Sequence, residues 1–119
     1  MQPNTLGRTA TPDIAQRPRR SIRRLSVVNI ELKSASTEYS WQIPRNCVSF
    51  RLKVRDGTAI RISTEPGVVG TPSTEKYYTL LANGTLSMGD LEIEDPEARL
   101  YFACASGDKF VDILVGLSA

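Results

Sequence analysis

The chain has 119 residues, 40% hydrophobic and 24% charged, with a net charge of +2, which fits one domain of ordinary globular composition. It contains no histidine and two cysteines, Cys47 and Cys104. That removes the commonest general base, the commonest zinc ligand and every Ser-His or Cys-His arrangement. No apolar run approaches the roughly 18–20 residues of a membrane-spanning helix, and no signal-peptide core stands at the N-terminus, so neither membrane insertion nor secretion by that route is expected.

The charge is unevenly placed. Residues 1–24 carry six arginines against Asp13, a net +5, whereas residues 25–119 carry nine Lys/Arg against twelve Asp/Glu, a net −3. The opening segment, rich in Pro, Thr and Arg, lacks the apolar surface to offset the entropy of ordering itself. It is expected to be a flexible basic arm over 1–24, ahead of a folded domain over 25–119. Arg17, Arg19, Arg20, Arg23 and Arg24 are its candidate partner-binding residues. Such a cluster can bind phosphates with steep salt dependence, but no aromatics are interleaved with it. An acidic protein surface is the favoured partner over nucleic acid.

From Leu25 the pattern takes period two, the signature of strands with one buried face. In "LSVVNIELK" the inward set is Val28, Ile30 and Leu32; in "EYSWQIP" it is Tyr39, Trp41 and Ile43, ended by Pro44. In "CVSFRLKVR" Val48, Phe50, Leu52 and Val54 alternate with Ser49, Arg51, Lys53 and Arg55, giving a dry face and a wet, basic one. Asp56-Gly57 reads as a tight hairpin turn, followed by a strand carrying Ile60 and Ile62. The segment "TEPGVVGTPSTEK" is long for a loop. It reads either as a functional loop or as a crossover between two sheets.

"YYTLLANGTLSMGDLEIED" predicts a strand, an Asn-Gly turn and one or two further strands. Asn83-Gly84-Thr85 matches a glycosylation acceptor but reads better as that turn. Tyr77 and Tyr78 point to opposite faces, which leaves one of them exposed. Trp41 and the tyrosines could stack on a sugar or a base, although aromatics in alternating strands are more often core. Asp90, Glu92, Glu94, Asp95 and Glu97 could gather a hard cation. Their alternation with Leu91 and Ile93 fits a solvated strand face better, and no metal or cofactor is expected.

The last stretch, "LYFACASGDKFVDILVGLSA", predicts a closing hairpin. Leu100, Phe102 and Cys104 face Val111, Ile113 and Val115 across a Ser106-Gly107-Asp108 turn, with Gly107 in the left-handed position. Phe110 and Leu114 lie on the opposite face, so this strand is either central or covered by another subunit. With Tyr78 they form the candidate self-association surface. About eight short strands and no helix beyond a turn near "DPEAR" predict an all-β sandwich or jelly roll. Cys47 and Cys104 are read as buried free thiols in preference to a disulfide. No phosphate loop, nucleophile elbow or catalytic constellation occurs, so the chain is not expected to be an enzyme.

An arm followed by a small β-domain, closing on "YYTLLANGTLSMGDLEI" and "LYFACASGDKFVDILVG", resembles small structural proteins of tailed bacteriophage particles, capsid decoration (cement) proteins in particular. The resemblance implies a virion location after assembly in the host cytoplasm and a homo-oligomer, trimer or dimer. It further implies binding to the major capsid protein or other virion proteins. Its alternatives are a head–tail adaptor or fibre-like component, or a carbohydrate- or nucleic-acid-binding module.

Overall fold

The computed structural model describes residues 21–70 and 75–119. Among them the backbone forms eight strands and no helix: β1 (Arg24–Leu32), β2 (Tyr39–Gln42), β3 (Cys47–Val54), β4 (Ile60–Ser63), β5 (Tyr78–Leu80), β6 (Thr85–Met88), β7 (Arg99–Ala103) and β8 (Lys109–Leu117). They build two four-stranded antiparallel sheets, ordered β1-β8-β3-β6 and β2-β7-β4-β5. The arrangement is sandwich-like. Both sheets contribute to one core, and the Trp41 ring on β2 meets Phe50 on β3 edge-on at 5.3 Å.

The period-two reading holds along the strands. Val28, Ile30 and Leu32 of β1 turn inward, as do Phe50, Leu52 and Val54 of β3. In β8, Val111, Ile113 and Val115 are at most 1% exposed. At the start of β3 the pairing with β8 shifts register between Cys47 and Ser49, which allows Cys47 and Val48 both to be buried. Cys47 and Cys104 are both buried. Trp41 is 6% exposed, so it packs in the core and offers no ring to a ligand.

The strand pairing differs from the sequence expectation at three turns. β7 and β8 do not form a hairpin: they belong to different sheets and face each other across the core. Asp56-Gly57 likewise leads from β3 into β4 of the other sheet, and Asn83-Gly84 leads from β5 to β6. The two turns touch, Asn83 N–H donating to the Gly57 carbonyl at 2.8 Å. At the last turn the left-handed residue is Asp108 (φ 56°), not Gly107. Gly107 is needed for a close approach instead, since a Cβ there would stand 2.6 Å from the Lys33 carbonyl oxygen.

The loop between β4 and β5 is no crossover, because these strands are neighbours in one sheet. It is tied down at several points. Val69 is fully buried, Gly67 N–H donates to the Glu38 carboxylate, and the buried Ser63 hydroxyl donates to the Lys76 carbonyl while accepting from Glu65 N–H. The stretch 90–94 forms no strand, although Leu91 and Ile93 still tuck against the core between exposed acids. Both Tyr77 and Tyr78 are exposed, not one of the two.

Ile113 and Leu114 are sequence neighbours on opposite faces of β8. Ile113→Ala should cost about 2–5 kcal/mol, as buried truncations do. Leu114→Ala should stay within about 0.5 kcal/mol. Urea unfolding midpoints of the two variants check the difference.

Candidate interaction surface

The outward face of the first sheet is set by register. Val27 of β1 pairs with Leu114 of β8, which pairs with Arg51 of β3 and through it with Ser87 of β6. One step along, Asn29, Asp112, Lys53 and Thr85 form the next row. Glu31 and Phe110 form the third. Side chains alternate strictly across a pleated sheet, so these rows share the outer surface.

The rows divide the face into two halves of different chemistry. In the polar half, Arg55 makes a bidentate pair with Asp112, Nε to Oδ2 at 3.1 Å and Nη2 to Oδ1 at 2.9 Å. Asn29 Nδ2 donates to the same carboxylate at 2.7 Å. The Arg55 guanidinium also lies over the Phe110 ring, 4.4 Å from its centroid, in cation–π geometry. Phe110 is therefore half-buried beneath its own chain. Beside it, Lys109 Nζ donates to Asp56 Oδ2 at 2.6 Å, and the other Asp56 oxygen accepts from Thr58 N–H and Oγ1.

The other half is apolar and open. Leu25 is 64% exposed, Val27 65% and Leu114 45%. Ile22 joins them, because its side chain lies over Gly116: a Cβ at Gly116 would meet Ile22 Cδ1 at 2.8 Å. Between the halves runs a groove of about 340 Å³, walled by Val27 and Leu114 on one side and Arg51, Lys53 and Thr85 on the other. Contiguous exposed apolar area of this kind marks interaction surfaces on proteins.

The sequence-predicted residues are distributed as follows. Arg17, Arg19 and Arg20 lie outside the described residues. Arg24, assigned to the arm by sequence, is the first residue of β1, and its Nε donates to the Ala119 carbonyl oxygen at 3.3 Å. Arg23 N–H donates to the Leu117 carbonyl at 2.7 Å. Phe110 and Leu114 share the outer face of β8, whereas Tyr78 is remote from them on β5. It lines a second, apolar cleft of about 300 Å³ with Met88, Phe50 and Leu100, where the two sheets gape between β5 and β6. Leu25, Val27 and Ile22 were missed by the sequence reading. Their signal was available, since Leu25 and Val27 are apolar at the outward positions of a strand whose inward positions are already filled.

Among the described residues no group of three or more acidic or thiol side chains could hold a metal ion. Hydrogen bonding to Lys109 and Thr58 brings Asp56 down to about 2. Hydrogen bonds from Arg55, and secondarily Asn29, lower Asp112 against the opposing effect of burial. Both folded carboxylates thus titrate below their unfolded values, so the unfolded chain takes up protons first as pH falls. The stability they contribute is complete above about pH 4 and is lost on the way down, for Asp56 as pH passes about 2. Asp56→Asn should lower the urea midpoint at pH 6, with the gap to wild type closing as pH approaches 2 and narrowing in added salt.

Compared with protein families, curated proteins and solved structures, the chain matches none.

Proposed function

We propose that the chain is a non-enzymatic structural protein of a tailed-bacteriophage virion. In this reading it is a jelly roll that decorates the capsid, stabilises it through the basic segment that precedes β1, and associates with copies of itself. The strand order carries the reading. The order β1-β8-β3-β6 beside β2-β7-β4-β5, with all connections but β4–β5 passing between sheets, supports an eight-stranded jelly-roll reading. Jelly rolls recur in viral capsid domains.

The outer face supports it further. The apolar strip of Ile22, Leu25, Val27 and Leu114 adjoins the arginine-rich segment in sequence, with Arg23 and Arg24 between Ile22 and Leu25, so basic and apolar contact residues are neighbours. Decoration of a lattice sums many shallow contacts, and a basic segment that orders on contact covers acidic surface on a neighbouring subunit. The major capsid protein is the proposed partner, with other virion proteins as the wider class.

Deleting residues 1–20 tests this while sparing Arg23 and Arg24, which bond the C-terminal strand region. The truncated protein should unfold at the wild-type urea concentration yet fail to co-sediment with capsids that lack the protein. Co-sedimentation at wild-type levels would overturn the role of the arm. Failure of the full chain to bind such capsids would overturn the decoration reading itself.

A further inference from the structure

The two sheets have four edge strands, and one of them differs from the rest. β2, β5 and β6 are three or four residues long, while β1 runs nine residues with no proline, glycine or lysine in it. Proteins ordinarily blunt an exposed edge by shortening it, kinking it or placing lysine or proline on it. β1 has none of these devices, its only charges being Arg24 and Glu31 near its two ends. It pairs with β8 along one side, and no other described strand is hydrogen-bonded to its second side. Its two most exposed large side chains, Leu25 and Val27, stand at this edge.

We propose that β1 pairs with β1 of a second copy of this chain, antiparallel about a two-fold axis through Val27. This locates the self-association of the previous section and rests on that reading, though not on the capsid partner. Only an even register sum keeps outward residues opposite outward residues in a continued sheet. Centring on Val27 sets Val27 against its symmetry mate, Leu25 against Asn29 and Arg23 against Glu31. Centring on Val28 would instead put Leu25 opposite Glu31 and Arg23 opposite Lys33, setting one charge on an apolar neighbour and two like charges together. Arg23 stands just before β1 and Glu31 near its end, so antiparallel pairing about Val27 brings this opposite-charge pair together at both ends of the interface, with Arg24 opposite Ile30. The product is one eight-stranded sheet in which Leu114, Val27 and their mates form an unbroken apolar strip across the axis.

Val27→Cys in the full chain tests the register, because the two-fold places this residue beside itself. The native thiols are buried and do not compete. Under mild oxidation Val27→Cys should form a disulfide-linked dimer at least about tenfold faster than Leu81→Cys, an exposed position away from β1. Leu25→Cys and Asn29→Cys should cross-link with each other in a mixture faster than either does alone. Val27→Lys should convert the sedimenting dimer to a monomer that still unfolds in one cooperative urea transition. If wild type sediments as a monomer at tens of micromolar, both the pairing and the self-association reading fall. If it sediments as an oligomer that Val27→Lys leaves intact, or Val27→Cys cross-links no faster than Leu81→Cys, the β1 pairing alone is overturned.

Discussion

β8 is the strand on which the other features depend. It pairs along its whole length with β1 and along most of it with β3, and its inward Val111, Ile113 and Val115 sit at the centre of the core. Because one strand holds both neighbours in register, its outward residues decide what the outer surface is made of. Asp112 gathers Asn29 from one neighbour and Arg55 from just past the end of the other. Two residues further, Leu114 has Val27 on one side and Arg51 on the other, which leaves the face apolar toward β1. The division into a polar and an apolar half is thus written along five residues of a single strand.

The polar half owes little to the ion pairs as such. Exposed pairs contribute modestly and are screened by salt. Their larger effect is geometric. Asp112 fixes the Arg55 guanidinium over Phe110, which covers one face of the ring from within the chain. The aromatic residue is thereby left half-buried, and the open apolar side chains of this face, Leu25, Val27 and Leu114, lie toward its other end.

The strands and their inward faces were legible from residues such as Val28, Ile30, Phe50, Leu52 and Ile113, because burial of one face imposes period two on any strand. Pairing partners were not. Asp56-Gly57, Asn83-Gly84 and Ser106-Gly107-Asp108 have the chemistry of tight turns, and a tight turn reverses the chain equally well within a sheet or between two facing sheets. Which occurs depends on which apolar faces meet, a property of residues distant in sequence. The Asp112 network was hidden for the same reason, its partners lying 57 and 83 residues away. Of the candidate contact residues, Leu114 was readable from its position opposite Ile113. Phe110 was read as equally open because Arg55 reaches it only through the β3–β8 register.

The central position of β8 also bears on how the chain acquires its structure. Residues 109–117 are translated after the other seven strands, yet they separate β1 from β3 in the first sheet. Until they emerge, β1 lacks its hydrogen-bonded neighbour in that sheet and β3 lacks one of its two. Closing the sheet then joins Arg24 to Leu117, nearly the full span of the domain. Contacts so distant in sequence slow folding, since the entropy of closing the loop precedes the reward of pairing. On this topology the first sheet is complete only once β8 lies between β1 and β3, which completes the core and the outer surface together.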